Sequence, residues 1–156
     1  MRTALVLTTL AAASLLTACS ESSGSTAMKY DEAARIVVQN FTLVWPDPVQ
    51  VASGMVNRGN GCRTNPETLK SEGPPWSPTY EMTAADPSQE FIDRALARLE
   101  TMTSRGFALE PDRVPNDDPI NRVYADSRGF SVAAHRDKYP VGTQFTITSS
   151  SPCVDE

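Results

Sequence analysis

The sequence predicts an α+β fold: two layers, with an antiparallel sheet of four to five strands and two helices on one face. Three observations predict it. Two segments carry apolar residues at three- and four-residue steps, the spacing that lines one side of a helix. After Gly106 the apolar period falls to two, as in half-buried strands. The connections between those later segments are short and polar, which makes successive strands antiparallel neighbours.

The first helix is expected over Tyr30 to Val44, where Tyr30, Ala33 or Ala34, Val37, Val38, Phe41 and Val44 share a face. Asp31 and Glu32 near its start complement the helix dipole, and Pro46 and Pro48 stop it. Residues 46–79, rich in Pro, Gly, Asn and Ser, read as a long irregular connection with a short strand around Val49 to Val56. Thr79 to Thr83 alternates as a strand, with Tyr80 and Met82 on one side. Asp86 reads as an N-cap, Pro87 as the first helical residue and Gln89 as the partner in a capping-box-like pairing. The second helix then runs to about Arg105 on an apolar stripe of Phe91, Ile92, Ala95, Leu96, Leu99 and Met102. Glu90 and Arg94 pair on its wet side, and Gly106 ends it. Phe107 and Leu109 begin a strand that ends at Pro111, and further strands follow at Ile120 to Asp126, Phe130 to Arg136 and Thr143 to Ser149, with Asp112 to Pro119 as a polar turn.

The N-terminus carries an address rather than fold. Arg2 is followed by an uncharged apolar run from Ala4 to Leu16, too short for the roughly 20 residues that span a bilayer and of signal-peptide length. The run ends in Leu16-Thr17-Ala18-Cys19, which resembles the lipobox of bacterial lipoproteins. That resemblance implies a signal peptide over residues 1–18 and a diacylglycerol on the Cys19 thiol, with Cys19 as the mature N-terminus. Two acyl chains hold a protein to a bilayer stably where one does so marginally. Residues 19–26, small and polar, read as a flexible tether, which leaves 27–156 as one extracytoplasmic domain.

The formal charge of the chain is −5, which argues against nucleic acid or an anionic membrane held by charge. The sequence has three cysteines and one histidine. With Cys19 lipidated, Cys62 and Cys153 remain, and outside the cytoplasm a disulfide is the default fate of such a pair. Two free thiols are the alternative; a zinc site lacks ligands. The order of lipobox, helix, cysteine-bearing loop, strand, long helix ending in Gly and a meander closing in Ser-Pro-Cys resembles small actinobacterial lipoproteins of unknown function, the mycobacterial LppA-like group. Cys19, Cys62 and Cys153 are the positions that carry over. The resemblance implies a similar fold and an envelope location, and it names no activity.

Candidate chemistry is sparse. His135 falls on the exposed side of its strand with Ser131 and Ala133, and Ser131 is too far along the strand to complete a triad with His135 and Asp137. Asp112, Asp117 and Asp118 lack the ligand spacing of a calcium loop. Gly59-Asn60-Gly61 lacks the lysine and helix of a phosphate loop. Asn40-Phe41-Thr42 is a glycosylation sequon on a helix, without meaning in a bacterial protein. Trp45, Trp76 and Tyr80 flank the long loop, where they either cap the core or form a contact surface. No metal or cofactor motif is recognisable. The leading expectation is a non-enzymatic envelope protein, anchored to the lipid bilayer and binding a protein or cell-wall ligand. Its contact surface would be the loop from Cys62 to Tyr80, including Trp76, with the polar Thr146 and Thr148 sheet face second. The alternative is a small cell-wall or lipid hydrolase using paired carboxylates of raised pKa. A lipid carrier, which needs a sizeable apolar cavity, comes third.

Overall fold

The computed structural model describes residues 28–58, 61–111 and 118–156. The predicted signal peptide, Cys19, the tether, Gly59-Asn60 and the Asp112 to Asp117 part of the polar turn lie outside them.

Helix α1 spans Tyr30–Val44 and buries Ala33, Ala34, Val37, Phe41 and Val44 along the predicted stripe. The expected strand near Val49 to Val56 is instead a single 3-10 turn, Ser53–Met55. The stretch read as an irregular loop contains a hairpin, β1 (Gly61–Thr64) and β2 (Ser71–Trp76), paired as a separate two-stranded antiparallel sheet. Its burial does not alternate, and its register shifts between Gly61 and Arg63, so no two-residue period marks it in the sequence. Gly61 is required there, because a Cβ would lie 1.9 Å from the Glu72 carbonyl carbon. The turn is held by Asn65, whose side-chain oxygen accepts from Glu67 N at 2.9 Å and Thr68 N at 3.0 Å.

Strand β3 (Thr79–Ala85) leads to α2 (Gln89–Thr101), which continues as a 3-10 turn, Met102–Arg105, to Gly106 at φ 87°. The N-cap is Ser88 rather than Asp86: the Ser88 hydroxyl accepts from Phe91 N at 3.2 Å. Gln89 donates to Asp93 at 2.8 Å instead of closing a capping box. The Glu90–Arg94 pair forms at 2.8 Å, as its spacing predicts.

Strands β4 (Phe107–Leu109), β5 (Arg122–Asp126), β6 (Ser131–Tyr139) and β7 (Gly142–Ser150) complete a five-stranded antiparallel sheet of order β3-β7-β6-β5-β4. The fold is thus α+β, with two α-helices and two antiparallel sheets among the described residues. Helix α1 packs on β3, β7 and α2, and α2 packs on β6. Phe145 and Ile147 of β7 and Val132 and Ala134 of β6 alternate into one hydrophobic core with the helix stripes. Phe41 stacks on Trp45 with ring centroids 5.5 Å apart and meets Tyr80 edge-on at 4.7 Å. No helix among the described residues is long and apolar enough to cross a membrane.

Candidate functional site

The molecule has two poles set by one extended run. From Gly142 the chain follows β7 to Ser150 and continues alongside Pro78 and Trp76 to Asp155. Thirteen residue steps, each at most about 3.3 Å, separate its ends along the chain. At the far end Lys29 bridges Asp155, so the start of the described chain lies there.

This N-terminal pole is closed by covalent and polar ties. Cys62 and Cys153 form a disulfide, with Cα atoms 6.1 Å apart. Trp76 and Val154 exchange backbone hydrogen bonds at 2.9 and 2.8 Å. The Arg58 guanidinium lies 5.6 Å from the ring centroids of both Tyr30 and Trp76 and pairs with Glu156. The cleft beside it, about 440 Å³, is lined by Lys29, Tyr30, Asp31, Arg58 and Glu156, of which Arg58 and Lys29 both bond to Glu156.

The opposite pole is the β6–β7 turn. Tyr139 pairs with Gly142, leaving Pro140-Val141 as a two-residue connection. Hairpins this short favour primed turns, whose central residues take positive φ. Pro140 cannot take one, and Val141 is not among the positive-φ residues. The mismatch is absorbed beside the tip by Gly142 at φ 148°, and it is braced by a second outlier, Asp86, at φ 45°. Asp86 N donates to Thr143 O at 2.7 Å, and Thr143 N donates back to the Asp86 carboxylate at 2.7 Å. That carboxylate lies against Gly142, where a Cβ would meet Oδ1 at 2.6 Å. The tip so held is apolar and open: Val141 is 95% exposed and Tyr139 50%.

The sequence-predicted contact residues do not share one surface. Thr146 and Thr148 lie on the face of the five-stranded sheet turned from the core, where Thr83 and Thr146 hydroxyls meet at 2.8 Å. Tyr80 is on the core-facing side, against Phe41. Trp76 belongs to the N-terminal pole, under Arg58. Trp45 caps the core, 7% exposed. His135 is half exposed beside Thr146 and meets Asp137 at 2.9 Å. Tyr139, Val141 and Asp86 were not singled out in the sequence as a site. Their signal was available: two large apolar residues around a proline in a connection that is otherwise polar.

A shallow groove of about 400 Å³ runs along α1, lined by Val38, Gln39, Asn40, Thr42, Leu43 and Arg105. Among the described residues no group of three or more His, Cys, Asp or Glu side chains is placed to hold a metal ion.

The described carboxylate with a resolved shift is Asp118. Partial burial pushes its pKa up, but bonds from Arg136 and from Ile120 N, with the charges of Arg136 and Lys138, outweigh this and leave it below the ordinary 3.8. Arg136 Nη2 reaches Asp118 Oδ2 at 2.6 Å. A depressed carboxylate stabilises the folded state above its unfolded pKa and loses that contribution as pH falls through the folded value. Asp118→Asn is therefore expected to lower stability at pH 7 by about 1 kcal/mol, a difference that closes in urea titrations as the pH falls through the lowered pKa of the folded state.

No family model, no curated protein and no solved structure matches this chain.

Proposed function

We propose that the chain is an extracytoplasmic lipoprotein of a bacterial envelope, held to the bilayer through acylated Cys19 and acting as a non-enzymatic interaction module. The lipobox-like Leu16-Thr17-Ala18-Cys19, the signal-length apolar run before it and the Cys62–Cys153 disulfide support the location. Use as an interaction module is carried by one observation, the separation of the poles. Cys19 precedes Met28 by nine residues, an extended reach of roughly 30 Å, so the tether holds the pole at Lys29 near the membrane. The apolar turn at Tyr139 to Gly142 stands at the other end of the chain run that follows β7 and continues to Asp155. A firmly closed end and an open apolar end suit a tethered protein that presents one end to a partner.

The test is fractionation of the full-length chain. Cys19→Ser is expected to abolish incorporation of labelled fatty acid and to move whatever part of the chain is still cleaved free of its signal run from membranes to the soluble extracytoplasmic fraction. Incorporation of labelled fatty acid by the Cys19→Ser chain, retention in membranes of its cleaved form, or failure of the native chain to incorporate labelled fatty acid, defeats the reading.

A further inference from the structure

We infer that the free edge of β3 pairs with the same edge of a second copy of this chain, antiparallel and centred on Thr83, joining two five-stranded sheets into one. This goes beyond the interaction-module reading and does not depend on the anchor.

The hydrogen-bonding direction of each β3 residue is fixed at both ends of the strand. Ser151 N donates to Pro78 O at 2.9 Å and Asp86 N to Thr143 O at 2.7 Å, so the even-numbered residues from 78 to 86 face β7. The odd-numbered ones face the other way. Thr79 exchanges backbone bonds with Asn57 at 3.0 and 2.9 Å. Past that rung β3 is the edge of the sheet, and among the described residues no bond meets the outward N–H and C=O of Glu81, Thr83 and Ala85. Nothing blunts this edge: β3 pairs with β7 through Thr79–Ala85 without a register shift and holds no Pro, Lys or Arg. The opposite edge, β4, is only three residues long.

Where the open run stops selects what fits it. Asn57 closes it at Thr79, and Asp86 turns the chain out of it at φ 45°. A second β3 laid antiparallel about Thr83 uses the whole interval. Glu81 then stands opposite Ala85, Thr83 opposite Thr83 and Ala85 opposite Glu81, and each of these pairs exchanges two hydrogen bonds. Moving the centre by one residue either way loses one such pair to the Asn57 rung or to the turn at Asp86. On the core side, Met82 meets Ala84 of the second copy, large against small, and both are only half-buried in the single chain. On the outer side the strand's lone charge, Glu81, meets Ala85 and not its own copy, so like charges stay apart. An interface of one short strand a side is small, and the contact is a reversible one.

The experiment traps the pair as a disulfide in cells carrying the full-length chain. Hydrogen-bonded neighbours have Cα atoms about 5.5 Å apart, within disulfide reach, whereas Glu81 and its own copy are offset by about 13 Å along the strands. Under mild oxidant, Thr83→Cys is expected to give a dimer linked 83 to 83, at least about fivefold above Glu81→Cys or Ala85→Cys alone. Two differently tagged copies, one Glu81→Cys and the other Ala85→Cys, are expected to link to each other. Glu81→Pro removes an outward donor and leaves the β3–β7 ladder whole; it is expected to reduce the Thr83→Cys dimer at least about fivefold. Thr83→Lys in both tagged copies sets two cations face to face and is expected to reduce their link as much, with an unchanged melting curve. The same links in the Cys19→Ser chain support the pairing whatever fractionation says of the anchor. Equal yields from the three single cysteines, no dimer from Thr83→Cys, a Thr83→Cys adduct only to another protein, no link between the tagged copies, or indifference to both edge variants overturns the inference.

Discussion

Replacing both bridging cysteines, Cys62→Ser with Cys153→Ser, is expected to lower unfolding free energy by about 4–5 kcal/mol. The bridge joins residues 91 apart, and its main effect is on the unfolded chain, whose loop-closure entropy it removes in proportion to the logarithm of that separation. Small domains are stable by about 5–15 kcal/mol in all, so the double variant sits close to the threshold of folding at 37 °C. The origin of the loss is separable in urea. Freeing the unfolded ensemble lets it expand, so the denaturant slope rises as the midpoint falls, whereas deletion of a core contact moves the midpoint alone. Reductant is expected to reproduce the effect in the native chain and to leave the double variant unmoved. A loss below about 1 kcal/mol, or an unchanged slope, defeats the entropic account. The first folded regions to loosen are the β1–β2 hairpin and the segment after Ser150, since Cys62 and Cys153 join these two, backed by the Trp76–Val154 bridge and the Arg58 stack.

The parts of the fold that were legible in the sequence are those where burial imposes a period. Tyr30–Val44 and the stripe through Ile92, Ala95, Leu99 and Met102 each bury one face of a helix, and that face is written at three- and four-residue steps. Phe145, Ile147 and Ser149 turn inward between Gln144, Thr146 and Thr148, so β7 was legible in the same way. The β1–β2 hairpin was not, because no face of it is packed deeply enough to select alternating residues; its structure follows from the Asn65 turn, the close approach at Gly61 and the disulfide. Asp86 illustrates the second kind of failure. Asp-Pro-Ser-Gln offers two oxygen-bearing caps two residues apart, and local preference alone does not choose between them. Tertiary structure chooses: the Asp86 carboxylate is taken by Thr143, 57 residues away, leaving the Ser88 hydroxyl to cap the helix. The same long-range bond hides the apolar turn from sequence reasoning, since what distinguishes Tyr139 and Val141 is the clamp beneath them. The disulfide was legible by counting cysteines, while the sequence left open whether Trp76 and Tyr80 cap the core or form a surface; Tyr80 packs on Phe41 and Trp76 lies under Arg58.

Phe41 joins α1 to Trp45 and to β3, and Phe41→Ala is expected to cost about 3–5 kcal/mol. The ring is fully buried and stacks on Trp45, which in turn meets Phe91 edge-on at 5.2 Å; on its other side it meets Tyr80 of β3. Removing it deletes apolar surface and leaves a cavity bordered by two aromatic rings from different elements, which cannot both relax inward without breaking the packing of α1 on β3. Because the loss is in the folded state, the urea midpoint should fall with the slope unchanged, the opposite of the cysteine variant. Leu43→Ala on the same helix is the control: Leu43 is 37% exposed, and its removal is expected to cost no more than about 0.5 kcal/mol. Phe41→Leu should fall between the two, since it retains part of the volume but loses both ring contacts. If Phe41→Ala and Leu43→Ala proved equally mild, α1 would not be seated on the sheet through Phe41. The N-terminal pole, where α1 begins at Tyr30 beside Asp155, would then have to be held by its own bonds alone.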